Sequence, residues 1–76
     1  MTPYRNLSGH SNVVAYESNE DSIHVVFKSG VNRNYFYNSA RPGRVVVEEM
    51  KRLAALGRGL NAYISSVVKS SYARKW

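Results

Sequence analysis

The stretch IHVVFKSGVNRNYFY, residues 23–37, decides the fold because it contains two strands and the turn between them. In residues 23–28 every second side chain from Ile23 onward is apolar, which is the alternation of a β-strand with one buried face. A Ser-Gly pair interrupts this pattern, and Gly30 can adopt the positive φ of a tight turn. Three consecutive aromatic residues then mark a second strand at 32–37. The short connection predicts that the two strands are antiparallel neighbours.

A third strand is predicted upstream of this pair. Residues 12–17, NVVAYE, are rich in side chains that favour strands, and the polar run SNEDS at 18–22 supplies the turn that follows. The loops on both sides of the middle strand are short, so each strand pairs with the next along the chain. The first half of the sequence therefore predicts a three-stranded antiparallel meander.

The periodicity changes from strand to helix at Pro42, a residue that suits a first helical turn. Apolar side chains at i, i+4 and i+7 then predict a helix over 44–56, which two nearby glycines end. The stripe comprises Val46, Met50 and Leu53, with Leu56 close to it. A shorter C-terminal helix is expected at about 60–69. Strands followed by helices predict a two-layer α+β fold, with the meander packed against one main helix.

The length of 76 residues predicts a single domain, residues 1–76. Cysteine is absent, which favours a reducing, cytoplasmic location because small secreted domains usually need disulfides. The N-terminal residues lack the apolar region of a signal peptide, and no apolar run approaches the ~20 residues of a membrane span. We therefore expect a small cytoplasmic protein with no membrane partner.

The excess positive charge lies in the second half of the chain. Residues 1–40 hold three basic and three acidic residues, whereas residues 41–76 hold eight basic and two acidic residues. Because two carboxylates cannot pair with eight cations, this distribution favours a polyanionic partner. The alternative is a solvated basic surface with weak ion pairs. The candidates for phosphate contacts are Arg44, Lys51, Arg52, Arg58, Lys69, Arg74 and Lys75.

The aromatic triplet is a second candidate binding feature, with two alternative orientations. Tyr35 and Tyr37 point to one face of their strand and Phe36 to the other. If Phe36 is in the core, the two tyrosines stand on an open sheet surface, an arrangement that stacks on nucleic-acid bases. If the tyrosines are in the core, as large amphipathic rings commonly are, Phe36 is the exposed ring. All three are therefore candidates for base contacts.

The sequence contains no recognisable catalytic or metal-binding constellation. Neither His10 nor His24 has an acidic residue at a metal-ligand spacing, and there is no cysteine to join them. We interpret both histidines as surface residues, and the Gly-Arg-Gly sequence at 57–59 as a helix end. The sequence therefore predicts a non-enzymatic protein that needs neither a cofactor nor a metal.

Several short motifs occur in a characteristic order along the chain. They are Ser11-Asn12, Tyr16, Phe27-x-Ser29-Gly30, Tyr35-x-Tyr37 and the stretch Gly-x-x-Leu-Asn-x-x-Ile at 57–64. This order resembles that of the KTSC domain, a short domain found at the C-terminus of some lysyl-tRNA synthetases and alone in small bacterial and phage proteins. The resemblance covers about residues 11–64, and a basic tail at about 69–76 lies outside it. It loosely implies RNA binding, because of the family's attachment to a synthetase.

The chain departs from the family pattern at several positions. Leu60 stands where the family usually has an aromatic residue, and Ala55 where it usually has a serine. Phe36 replaces a polar residue between the two tyrosines, and the family pattern favours buried tyrosines with Phe36 exposed. No family property is carried onto residues 65–76.

Charge and aromatic content together predict a non-enzymatic nucleic-acid-binding accessory module of low sequence specificity, with RNA favoured over DNA. The basic helical half would contact phosphates, and one aromatic set would stack on bases. The alternative is a protein-interaction module, such as a phage or mobile-element protein that docks on a host complex. Because the chain is basic, such a module would have to occupy an acidic surface of its partner.

Overall fold

The computed structural model describes all of residues 1–76 as an α+β fold in which helices cover one face of a five-stranded antiparallel sheet. The strands lie in the sheet in chain order, and they are β1 (Thr2–Pro3), β2 (Val13–Ser18), β3 (Ser22–Phe27), β4 (Asn34–Asn38) and β5 (Arg74–Lys75). The predicted α+β class is confirmed, and the three predicted strands correspond to β2, β3 and β4. The three-stranded prediction is incomplete, because two short strands add an edge on either side of the meander.

Two helices follow the central strands. The first, α1 (Arg44–Leu56), has the bounds that the sequence predicts. The second, α2 (Leu60–Tyr63), is one α-helical turn that continues as a π-helical segment, Ile64–Val68. The second predicted helix therefore changes its hydrogen-bond pattern partway, in a stretch whose β-branched residues lower helix propensity. Neither helix is long and apolar enough to cross a membrane.

The core lies between one face of the sheet and the helices. Ile23 stands directly opposite Tyr37 in the β3–β4 ladder, and both are fully buried together with Val25. Side chains alternate along a strand, so His24 and Phe36 point to the other face, where they are only half-buried. The helix α1 closes the core with its buried side chains, Val47, Met50 and Ala54.

The apolar stripe of α1 is displaced from the predicted one, which comprised Val46, Met50 and Leu53 with Leu56 close to it. Met50 is fully buried as predicted, but Val46 and Leu53 are half-buried and Leu56 is 43% exposed. The central positions belong to Val47 and Ala54 instead. The two stripes lie one residue apart and share Met50, so the helix is rotated by part of a turn. Because residues 45–47 are all valine, the sequence does not determine which of them faces the sheet.

The N-terminal segment after β1 crosses the C-terminal end of α1. Tyr4 is buried, and its hydroxyl accepts a hydrogen bond from the N–H of Leu60 at 3.3 Å. The N–H of Leu7 donates to the carbonyl of Gly57 at 2.7 Å, and the guanidinium of Arg5 donates to another carbonyl in the last turn of α1. The last carbonyls of a helix have no partner within it, so this segment satisfies groups that would otherwise need water.

Two glycines after α1 provide a matched test of this crossing. Gly57 and Gly59 both have φ of +85°, so alanine at either position costs ~1–2 kcal/mol for the left-handed conformation. A Cβ at Gly57 would also lie 2.9 Å from the Cβ of Arg5, whereas at Gly59 the nearest atom is 3.5 Å away. We expect Gly57→Ala to lower the free energy of unfolding by ~1 kcal/mol or more beyond Gly59→Ala, measured by urea denaturation. Equal losses would contradict the close packing of the N-terminal segment on the helix end.

The burial of the α1 side chains predicts an order of stability losses. Met50→Ala removes a fully buried side chain and should cost ~2–5 kcal/mol. Leu53→Ala should cost less, because Leu53 is already half-exposed to water. Thermal and urea unfolding of the two variants measure both losses. A larger loss for Leu53→Ala would show that the helix faces the sheet with the stripe predicted from sequence.

Candidate nucleic-acid interface

The orientation of β4 decides which aromatic rings face solvent. Tyr37 is buried, with 1% of its surface exposed, and Tyr35 is half-buried against the core. Phe36 lies on the opposite face of the sheet, directly across the ladder from His24. The tyrosines are therefore the core-side pair, and Phe36 is the ring on the open face. Of the two orientations left open by the sequence, the one in which Tyr37 stacks on bases is not the arrangement observed, because its ring is enclosed by the core.

The edge strand β5 brings the C-terminal residues against this open face. Arg74 stands directly opposite Phe36 in the β4–β5 ladder. The N–H of Ala73 donates to the carbonyl of Phe36 at 2.8 Å, and the N–H of Trp76 donates to the carbonyl of Asn34 at 2.9 Å. Because side chains alternate along a strand, Arg74 and Trp76 lie on the same face as Phe36.

Four side chains on this surface form an open-face cluster, which comprises His24, Phe36, Arg74 and Trp76. The centroids of the His24 and Trp76 rings are 5.1 Å apart, with their planes tilted by 35°. The Arg74 guanidinium lies over the Trp76 ring, 5.0 Å from its centroid, which is a cation–π geometry. Trp76 is 48% exposed. The cluster therefore presents aromatic surface and a positive charge to solvent on one side of the sheet.

Asparagine and glutamate side chains border the cluster. The Nε2 of His24 and the Oδ1 of Asn34 are 3.0 Å apart, a hydrogen bond that fixes the histidine ring beside Trp76. On the other side Glu17 stands opposite His24 in the β2–β3 ladder. Its carboxylate lies 4.0 Å from the amino group of Met1, at the side of the sheet away from Arg74. Positive and negative charge therefore lie on different parts of the open face.

Two of the predicted phosphate-binding cations, both on α1, form ion pairs with glutamates. The ammonium of Lys51 lies 2.9 Å from the Glu48 carboxylate, and Arg52 binds the Glu49 carboxylate through two hydrogen bonds of 2.8 and 2.6 Å. These hydrogen bonds lower the pKa of Glu49 and raise that of Arg52. Such exposed pairs contribute little stability. They nevertheless leave less of this charge free for a polyanion than the sequence predicts.

The remaining predicted cations are divided between two places. Arg44 is exposed at the start of α1 and Arg58 just beyond its end, and neither side chain makes a hydrogen bond or ion pair within the chain. Lys69 and Lys75 instead line a cleft on the helix side of the sheet, a cleft that Tyr35 and Tyr37 also line. Of the ten predicted site residues, only Phe36 and Arg74 meet on the open face.

The aromatic residue that sequence reasoning missed is Trp76. The tail shows no periodicity over enough residues to predict a strand, so Arg74 and Trp76 were not assigned to a common face. Their spacing of two residues is the one available signal, because residues at i and i+2 share a face when the chain is extended.

His10 is exposed in the N-terminal segment, whereas His24 is half-buried within the open-face cluster. No three histidine, aspartate or glutamate side chains are grouped so that they would hold a metal ion. The side chains on the open face make a ring–ring contact, a cation–π contact and a hydrogen bond.

Comparisons with protein-family models, with curated proteins and with solved structures give no match for this chain. The resemblance to the KTSC domain therefore stays a prediction from its motifs. The burial of Tyr37 and the open position of Phe36 have the orientation that the resemblance implies. That orientation also follows from the packing of any amphipathic tyrosine under a helix, so it does not identify the family.

The buried tyrosine predicts a specific dependence of stability on pH. Burial, together with the nearby Tyr35 and Tyr72 hydroxyls, raises the pKa of Tyr37 well above its ordinary value of 10.0. The unfolded chain loses this proton first, so stability is fully present below about pH 10 and falls as the pH rises above it. Tyr37→Phe should match the parent at pH 7, because the hydroxyl makes no hydrogen bond within the chain. Urea denaturation between pH 7 and about 11 should show the parent losing up to ~1.4 kcal/mol per pH unit more than the variant, and parallel profiles would contradict the burial.

Proposed function

We propose that the protein is a non-enzymatic module that binds single-stranded nucleic acid with low sequence specificity, and that the open-face cluster is its base-stacking surface. The observation that carries this proposal is the presence of Phe36, Trp76 and Arg74 on one uncovered sheet face. Sheets with exposed aromatic side chains are a common platform for unpaired bases. The proposal retains the function predicted from sequence but moves its main surface from the helices to the opposite face.

Stacking suits a module of low specificity. Every base has an aromatic face, so a ring platform binds different sequences with similar strength, at ~1–3 kcal/mol per base. Bases in a duplex are already stacked on one another, and their faces are not accessible to a flat sheet. A single strand is therefore the expected ligand. RNA is favoured over DNA because of the resemblance to a domain attached to a lysyl-tRNA synthetase.

The charge of the protein supports this choice of ligand. The formal net charge is +6, which raises the local concentration of any polyanion near the surface. Arg74 is placed to contact a phosphate or to stack on a base, because it is exposed at the edge of the cluster. The cations bound to Glu48 and Glu49 contribute less, since each already neutralises a carboxylate.

Binding can be measured with the chain's own fluorophore, because Trp76 is the single tryptophan and lies in the proposed surface. Titration with a short oligouridine RNA should quench its emission saturably if bases stack against the ring. Affinity should fall as salt is raised from about 50 to 200 mM, with a log–log slope of about −1.4 for two phosphate contacts on a single strand. Duplex RNA and DNA of the same length should bind more weakly.

Matched variants separate the open face from the helices. Phe36→Ala and Arg74→Ala should each weaken binding to the single strand about tenfold or more. Arg44→Ala removes another exposed arginine, from the helix layer, and should change affinity by less than about twofold. Circular dichroism confirms that each variant is folded.

If Arg44→Ala weakens binding more than Phe36→Ala and Arg74→Ala do, the binding site lies on the helix side of the protein. No binding of single-stranded RNA, single-stranded DNA or duplex at about 50 mM salt would remove the nucleic-acid proposal and leave the protein-interaction alternative.

A further inference from the structure

A cleft of about 440 Å³ lies on the helix side of the sheet, between β4 and β5 on one side and the second helix on the other. This volume is within the range of sites that hold small molecules. Its lining includes the aromatic side chains Phe27, Tyr35 and Tyr37, the amide side chains Asn12, Asn32 and Asn61, and the cations Lys69 and Lys75. The open-face cluster lies on the other side of the sheet and shares none of these residues.

Aromatic rings form the inner wall of the cleft. Phe27 and Tyr35 are both half-buried and meet edge to face, with centroids 5.2 Å apart. Tyr72 also meets Tyr35 edge to face, with centroids 5.2 Å apart. Tyr37 also lines the cleft, but only 1% of its surface is exposed, so Phe27 and Tyr35 supply most of the accessible ring surface. The inner wall of the cleft is therefore mainly aromatic ring surface.

The charge around the cleft is entirely positive. Lys69 and Lys75 are exposed at its rim, and no aspartate or glutamate lines it. The Lys75 ammonium lies 5.2 Å from the centroid of the Tyr72 ring. Hydrogen bonding to Tyr72 raises the pKa of Lys75. A ligand that enters this cleft meets two cations with no competing carboxylate.

The backbone beside the cleft is unusual at two adjacent places. The π-helical segment Ile64–Val68 contributes Ile64 and Ser65 to the lining. Lys69 follows it with φ of 52° and ψ of −122°, a left-handed conformation that is unfavourable for a residue with a side chain. Short π-helical segments and strained residues concentrate at functional sites, where the strain positions a side chain. Here both features position the wall and one cation of the same cleft.

Two amide side chains of the lining are without partners. Asn32 and Asn61 are half-buried, and neither side-chain amide makes a hydrogen bond within the chain. Each offers a planar donor and acceptor pair, the arrangement that matches the edge of a heterocyclic base. Asn12 is different, because its side chain already bonds to Ser29. The free amides therefore favour a planar polar ligand over a purely aliphatic one.

We infer that this cleft binds a small anion that carries a planar base, of the nucleoside monophosphate class. The base would lie against Phe27 and Tyr35, and the phosphate would be held by Lys69 and Lys75. This inference is independent of the proposed stacking of a nucleic-acid strand on the open face, because the two surfaces are on opposite sides of the sheet. Either one can fail while the other stands.

Isothermal titration calorimetry with the full chain tests the inference. The probes are adenosine and uridine monophosphate, the corresponding nucleosides, and inorganic phosphate. At least one monophosphate should bind saturably, its nucleoside at least about tenfold more weakly, and inorganic phosphate not measurably, because rings and cations must act together. Absence of saturable binding by both monophosphates would overturn the inference. Equal binding of nucleoside and monophosphate would overturn the role of the lysines.

A matched pair of lysine variants locates the site. Lys69→Gly removes the amine while glycine tolerates the same backbone conformation, so the fold is expected to be retained. It should weaken monophosphate binding about tenfold or more and leave any nucleoside binding unchanged. Lys28→Ala removes an exposed lysine that does not line the cleft and should have no effect. Equal affinities for the parent and Lys69→Gly would place the ligand elsewhere.

Phe36→Ala distinguishes this inference from the proposed function. The side chain lies on the open face, so the variant should bind the monophosphate as the parent does while it loses affinity for oligouridine. A parallel loss of both activities would show that the monophosphate binds at the open face and would overturn the inference. Retained monophosphate binding in a parent that binds no oligonucleotide would support the cleft and remove only the proposed function.

Discussion

The burial of Tyr37 opposite Ile23 is the constraint on which the rest of the structure depends. With Tyr37 under α1, the alternation of β4 fixes Tyr35 on the core side and Phe36 on the open side. A slip of one residue in the β3–β4 register would exchange these faces and bury Phe36 instead. The large ring of Tyr37, packed between two layers, makes that slip costly because its burial would be lost. One buried residue therefore decides which chemical groups each side of the sheet presents.

The strand β5 extends this division to the C-terminal residues. Its two-residue alternation directs Arg74 and Trp76 to the open face and Lys75 to the cleft on the helix side. The pairing of β5 with β4 is what assembles both surfaces, since neither is complete from β2, β3 and β4 alone. The basic tail, which shows no periodic pattern in the sequence, therefore places a cation beside aromatic rings on both faces of the sheet. These cations are Arg74 on the open face and Lys75 in the cleft.

The parts of the structure that follow from sequence are those set by strong local signals. The bounds of α1 were predictable because Pro42 and Gly57 mark its ends, and β2 to β4 because their alternation and turns agree. The rotation of α1 about its axis was not predictable. Because residues 45–47 are all valine, a stripe through Val46 and a stripe through Val47 both fit the sequence, and both include Met50. The strand β5 was missed because two residues cannot show a period, and its pairing depends on tertiary contact with β4. Without β5, the sequence could not predict the open-face cluster, because the positions of Arg74 and Trp76 depend on the pairing of β5 with β4.

The two edge strands also affect how the sheet meets other copies of itself. An exposed sheet edge offers unpaired N–H and C=O groups on which a neighbouring chain can add a strand and begin to aggregate. Here both edges are only two residues long, one carries Pro3, which has no N–H to donate, and the other carries Arg74 and Lys75, whose charges repel an identical edge. Loss of either edge strand would uncover the longer β2 or β4 and give a neighbouring chain five or six residues to pair with.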